Sequence, residues 1–158
     1  MSYLPKEILK AKVLITVKTY PQPSDFHGEI VCTAGLLENS KWVRIYPVPF
    51  RLLSEYNKFE KFNWIEINLK KHRKTDFRPE TYSPKSDIDQ DLKIISKLGT
   101  ENNWQLRKEI VLKDVFTSFN ELIELSLGEE KKSLATLKPK EIIDFFGKKL
   151  KENGLKNG

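Results

Sequence analysis

The sequence predicts an α+β fold: a curved, mainly antiparallel sheet or open β-barrel of about five to seven strands, with about three covering helices. Three observations lead to this fold class. Short β-branched segments with alternating apolar residues fill the first half of the chain, proline and glycine separate them, and helix-capping patterns appear in the second half.

Three segments in the first third of the chain predict strands, namely residues 11–19, 29–37 and 41–47. Val13, Ile15 and Val17 would share one face of the first strand, because side chains alternate between faces. Two prolines and a glycine predict a loop over 20–28. The connection at 38–40 is short enough for the second and third strands to form a hairpin.

The next part of the chain predicts a helix, a strand and a basic segment. The helix covers 49–57, because proline suits a first helical turn. Its core-facing residues would be Phe50, Leu53 and Tyr56. A fourth strand covers 61–71, and its inward residues would be Ile65, Ile67 and Leu69. The basic, proline-broken segment 71–85 is predicted to be a loop or an extended arm.

The second half is predicted to be more helical. Residues 88–98 suit either a strand or a helix, and a helix is expected over 101–114 after Thr100. The apolar positions of that helix are Trp104, Leu106, Ile110 and Val111.

A capping box predicts one more helix. Ser118 and Glu121 have the required spacing, and Gly128 supplies the stop. Short strands are expected over 133–138 and 141–146.

Length and composition predict one domain without membrane contact. The 158 residues suit a single domain at 1–147 followed by a charged tail at 148–158. No stretch approaches the roughly 18 apolar residues of a transmembrane helix, and the N-terminus lacks a signal-peptide pattern. The one cysteine, Cys32, excludes an internal disulfide, and its apolar neighbours predict that it packs in the core. We therefore expect a cytoplasmic protein.

Charge points to a polyanionic partner. The chain has 28 lysines and arginines against 22 acidic residues, a formal net charge of +6. Such a surplus raises the local concentration of a protein near nucleic acid.

The third and fourth predicted strands would carry neighbouring aromatic and charged outer faces. With Val43 and Ile45 inward, the outward residues of the third strand are Trp42, Arg44 and Tyr46. Trp64 points outward on the fourth strand. Aromatic rings beside guanidinium groups can stack on nucleobases, at about 1–3 kcal/mol per base. The alternative is a second core layer beneath the later helices, with Arg44 paired to a carboxylate such as Glu66.

The basic segment would hold the phosphate backbone. Its four candidate cations are Lys71, Arg73, Lys74 and Arg78. The alternative for this segment is a solvated loop. With the aromatic faces, the predicted nucleic-acid-binding residues are Trp42, Arg44, Tyr46, Trp64, Lys71, Arg73, Lys74 and Arg78.

Two other functions fit the sequence. Asp25, His27 and Glu29 are close in the first long loop, where an acid–histidine pair could catalyse a reaction on nucleic acid or nucleotides; turn formation is the alternative role for these residues. A protein-interaction subunit is the other candidate, because aromatic residues and arginine also favour protein interfaces.

The sequence predicts neither a metal site nor a cofactor. Asp87, Asp89 and Asp91 alternate like the start of a calcium loop, but the glycine and final glutamate of that loop are missing. No glycine-rich nucleotide motif or paired Cys-x-x-Cys occurs.

Overall fold

A computed structural model of the chain describes residues 5–20, 22–24, 28–72 and 76–142, and every structural statement below concerns these residues. Their strands are β1 (Glu7–Lys18), β2 (Gln22–Ser24), β3 (Gly28–Ile30), β4 (Thr33–Leu37), β5 (Trp42–Ile45), β6 (Asn63–Lys71), β7 (Thr81–Pro84) and β8 (Lys93–Lys97). Their α-helices are α1 (Ile88–Asp91), α2 (Glu101–Val111) and α3 (Phe119–Leu127). Two 3₁₀ helices cover Phe50–Leu52 and Glu55–Asn57.

Five strands form a closed barrel, which confirms the predicted α+β small-barrel class. The strand order is β1-β4-β5-β7-β6, and β6 also pairs with β1 to close the ring. β8 adds a sixth strand beside β6. β5 and β7 run parallel, whereas the other neighbouring pairs of this sheet run antiparallel. None of the described helices is long and apolar enough to cross a membrane.

Alternating apolar residues fill the barrel. The burial of β6 switches at every residue, so Ile65, Ile67 and Leu69 lie inside as predicted. Val43 and Ile45 of β5 point to the same core. Removing such side chains from water is the main stabilising contribution, at roughly 1.5–3 kcal/mol for each large residue.

A β-bulge changes the predicted face of Val17. The register of β1 against β4 shifts between Ile15 and Val17, so Val13 and Ile15 are buried while Val17 is 39% exposed. Opposite this region, a Cβ on Gly35 would lie 2.1 Å from the carbonyl oxygen of Leu14. The close approach of the two strands therefore requires glycine at this position.

An apolar row on the outer face of the barrel is also buried. Leu36 of β4 pairs with Trp42 on one side and Leu14 on the other, and Leu14 pairs with Trp64. Leu14 and Leu36 are 0% and 2% exposed, although neither belongs to the interior cluster. Directly paired residues lie on the same face of a sheet, so a second layer of chain covers this row.

The C-terminal half is attached at both ends of that row. Near Trp64, Arg107 of α2 donates to the carbonyl of Leu98 from Nε and Nη2 at 3.1 and 2.7 Å, and its guanidinium lies 3.9 Å from the ring centre of Phe62. Near Trp42, Ser133 bonds to the barrel.

Several predicted elements of the first half need correction. The helix expected at 49–57 is two 3₁₀ helices, because Leu53 is extended between them. Leu53 still reaches the core, but Tyr56 is 77% exposed. The loop expected over 20–28 contains β2 and the start of β3, which pair with each other. The arm expected over 71–85 contains β7.

In the second half, 88–98 is both a helix and a strand, α1 and β8. The start of α3 agrees with the capping box, because the Ser118 hydroxyl accepts from the amide of Glu121 at 3.3 Å. Of the four apolar positions of α2, Trp104 and Leu106 are each 54% exposed.

The last predicted strands are only partly covered by the description. Residues 133–138 do not form a strand; Leu137 instead makes one isolated parallel bridge with Phe116. The segment predicted at 141–146 lies mostly outside the described residues, and the tail predicted at 148–158 lies wholly outside them.

Candidate nucleic-acid interface

β5 presents a half-buried outer face beside β7. Trp42 and Arg44 are half-buried while Val43 and Ile45 are fully buried, which is the alternation that the sequence predicts. Tyr46 follows β5 and is also half-buried. Its amide donates to the carbonyl of Tyr82 on β7 at 2.8 Å.

Arg44 is held by a polar network that joins the barrel to the C-terminal half. Its Nη1 donates to the hydroxyl of Ser133 at 2.9 Å and to that of Thr81 at 3.3 Å. Ser133 in turn donates from its amide and hydroxyl to the Glu80 carboxylate, both at 2.9 Å. Glu80 is 7% exposed. The carboxylate near Arg44 is therefore Glu80, not Glu66, and Ser133 connects the two.

A second guanidinium lies close to the first. Arg78 makes a two-pronged ion pair with Asp76, with Nε–Oδ1 and Nη2–Oδ2 distances of 2.8 and 2.7 Å. This pairing holds the pKa of Asp76 well below its usual range and raises that of Arg78. The pKa of Arg44 is lowered, first by burial and then by the positive charge of Arg78.

Cys32 is exposed, so the prediction that it packs in the core is wrong. It sits in the break between β3 and β4, where its amide donates to the Thr19 hydroxyl at 3.1 Å. It lies two residues before Ala34 of β4, which pairs with Arg44 of β5.

Aromatic and histidine rings continue this surface along β7. The rings of Tyr46 and His72 meet edge to face, with centres 5.4 Å apart. Ser83 bonds to His72 Nδ1 and donates to the carbonyl of Tyr46 at 2.8 Å. Lys71 bonds to the carbonyl of Pro79, and burial lowers its pKa.

We call this surface the Arg44 face. It consists of Cys32, Trp42, Arg44, Tyr46, Lys71, His72, Asp76, Arg78, Glu80 and Ser83. The predicted binding residues that it brings together are Trp42, Arg44, Tyr46, Lys71 and Arg78.

The remaining predicted residues lie elsewhere. Trp64 is on β6, which is separated from β5 by β7 in one direction and by β1 and β4 in the other. The expectation that the two aromatic strands are neighbours is therefore wrong. Arg73 and Lys74 fall outside the described residues, but His72 and Asp76, the residues on either side of that gap, both belong to the Arg44 face.

The loop proposed for catalysis is mostly outside the description. Asp25 and His27 are not among the described residues, and only the backbone of Glu29 is, as part of β3.

The three alternating aspartates have structural contacts. Asp87 caps α1 by accepting from the amide of Asp89 at 2.9 Å. Asp89 accepts from the amide and hydroxyl of Ser54 at 2.9 and 2.8 Å. Asp91 accepts from the backbone and side-chain amides of Asn68 at 2.7 and 2.6 Å. No group of three potential metal ligands occurs within the described ranges.

Sequence reasoning missed Asp76, Glu80 and Ser133. One local signal for Asp76 existed, because an acid two residues before Arg78 is within reach of its side chain. Ser133 is 53 residues from Glu80, and no local pattern indicates such a contact.

Comparison with known proteins gives one match. The profile of a family described as "Domain of unknown function (DUF8758)" matches residues 9–113, which is more than half of the chain. The matched range includes the barrel, β8 and α2, and ends before α3 and Ser133. No curated protein matches the sequence, and no solved structure matches it.

Proposed function

The chain belongs to the DUF8758 family of domains of unknown function, and we propose that it is a nucleic-acid-binding module that uses its Arg44 face. Five of the predicted contact residues support this proposal because they lie together on one side of the barrel. They include two neighbouring guanidinium groups and two half-buried aromatic rings. These are the side chains that bind phosphate and stack on bases.

The guanidinium groups keep donors for a ligand. Arg78 uses Nε and one terminal nitrogen for Asp76, whereas a guanidinium has about five N–H donors. Asp76 and Glu80 fix the two arginines in place. A phosphate placed between Arg44 and Arg78 would relieve the repulsion between them.

Arg73 and Lys74 would add two contacts to the same backbone. His72 and Asp76, the described residues on either side of 73–75, belong to the Arg44 face. We further propose a cytoplasmic location, on the sequence grounds already given.

A salt series tests the proposal. We would measure binding of labelled single- and double-stranded DNA and RNA by fluorescence anisotropy at increasing salt. Each phosphate contact contributes about 0.9 to the slope of log K against log salt for duplex and about 0.7 for single strands. The variant Arg73→Ala/Lys74→Ala should therefore lower the slope by about 1.4–1.8.

The control variant removes the same charge from another surface. Lys93→Ala/Lys108→Ala changes two exposed lysines, on β8 and α2, and should leave the slope close to that of the wild type. Absence of binding at low salt would contradict the proposal. An equal loss of slope in both variants would show a response to net charge alone.

A further inference from the structure

We infer that a single unpaired nucleobase enters a cavity beside Trp42, an inference that rests on the proposed nucleic-acid binding. The cavity, called here the Trp42 cavity, has a volume of about 480 Å³ and opens between β5, the turn before β7 and residues 129–134. Pockets for small ligands have volumes of roughly 300–1,000 Å³. The space is therefore adequate for one base.

Two aromatic residues line the Trp42 cavity, namely Trp42 and Phe77. Trp42 is half-buried on β5, so its position is fixed by the barrel. Phe77 is 74% exposed, and its ring can pack on a ligand without leaving the core. Aromatic rings bind bases by stacking, whatever the base, because every base has a π-face.

The charges of the cavity favour a base over a phosphate. Its carboxylates are Glu80, Asp114, Glu129 and Glu130, and its ammonium groups are Lys41, Lys71, Lys131 and Lys132. The two sets balance, so the cavity has no net attraction for an anion. Carboxylates accept hydrogen bonds from the amino groups of bases.

Lysines that line the cavity also have contacts within the protein. Lys71 donates to Pro79, Lys131 donates to the carbonyl of Leu127 at 3.1 Å, and the Lys132 ammonium lies 5.4 Å from the ring centre of Phe116. We therefore assign the phosphates to Arg44 and Arg78, which do not line the cavity, and a base to its interior.

The concave shape also selects the form of nucleic acid. A base inside a duplex is stacked on both faces and paired along its edge, so it cannot enter a cavity without being extruded. Bases of single strands, loops and bulges can be splayed out and stacked on aromatic side chains. The expected ligand is therefore a single-stranded segment.

The test separates the base from the phosphates. We would compare oligodeoxycytidylate with a chain of abasic deoxyribose phosphates of equal length, using fluorescence anisotropy at one low salt concentration. Both ligands carry the same backbone charge. Loss of one stacked base should weaken binding about tenfold, so the abasic chain should bind about tenfold more weakly.

Two variants test whether the contribution of the base to affinity arises at the Trp42 cavity. Phe77→Ala should weaken binding of oligodeoxycytidylate about tenfold and leave binding of the abasic chain unchanged. Tyr56→Ala is the matched control, because Tyr56 is 77% exposed and lies on the 3₁₀ helix Glu55–Asn57, away from the cavity. This control should change neither affinity.

The outcomes distinguish the two proposals. Equal affinity for the two ligands, or an equal effect of Phe77→Ala on both, would overturn base insertion and leave nucleic-acid binding intact. Failure of both ligands to bind the wild type would overturn the proposed function, and base insertion with it.

Discussion

Arg44 and Arg78 carry like charges, and the charge of Arg78 contributes to the lowered pKa of Arg44. Asp76 receives two hydrogen bonds from the Arg78 side chain and one from its amide at 3.0 Å. Glu80 reaches Arg44 through Ser133. A rigid pair of guanidinium groups loses less side-chain entropy on binding a phosphate than two mobile lysines would.

At the scale of single residues, Asp76 should make the free energy of unfolding depend on pH in the acidic range. Its pKa is depressed in the folded state, so its stabilising contribution is fully present above the unfolded pKa of about 3.9. The contribution is lost as the pH falls toward the lower, folded pKa. Asp76→Asn should reduce the free energy of unfolding by about 1–2 kcal/mol at pH 7.

Urea denaturation of the wild type and Asp76→Asn at several pH values measures this effect. The difference between the two proteins should shrink below about pH 4. A difference that stays constant down to the lowest pH would show that the carboxylate charge is not the cause.

At the scale of elements, the β1–β4 pairing depends on Gly35. A Cβ at this position would overlap the backbone of Leu14 at 2.1 Å, and backbone cannot move aside like a side chain. Gly35→Ala should therefore lower the free energy of unfolding by more than about 2 kcal/mol.

Gly99→Ala is the matched control for this prediction. The nearest atoms to a Cβ on Gly99 belong to the flexible carboxylate of Glu101, which can rotate away. Thermal unfolding of both variants provides the measurement. Equal destabilisation would mean that close packing of β1 on β4 is not the reason for glycine at 35.

Local alternation predicts β5 and β6 well because their inward residues follow a period of two. β7 is absent from the prediction, since it has only four residues, the last of which is Pro84, and it runs parallel to β5, which is distant in sequence. Its presence separates β5 from β6 and removes Trp64 from the candidate interface. The pairing of β7 with β5 and β6 depends on the closure of the barrel.

Helical periodicity fails in α2 for a different reason. Asn102, Asn103 and Trp104 have φ values of 49°, 55° and 64°, so the first turn is left-handed. The spacing of apolar residues then no longer maps onto one face of a right-handed helix. Trp104 consequently lies in solvent rather than in the core.

For the whole molecule, the positions of the charged side chains matter more for ligand binding than the net charge of +6. Some exposed lysines elsewhere form ion pairs with acidic residues, such as Lys12 with Glu38 and Lys85 with Glu7. The Arg44 face combines cations, aromatic rings and a cavity on one side of the barrel. We propose that nucleic acid covers this side.

Cys32 allows the most direct test, because it is the sole cysteine of the chain and is exposed. It lies two residues before Ala34 of β4, which pairs with Arg44 of β5, so it reports on that face. We would measure the rate at which a thiol reagent modifies Cys32, with and without a saturating single-stranded oligonucleotide at low salt. We expect a rate at least about fivefold lower in the complex, with recovery of the free-protein rate when high salt dissociates it. An unchanged rate while anisotropy shows the oligonucleotide bound would overturn the proposed binding surface, because the ligand would then lie elsewhere on the protein.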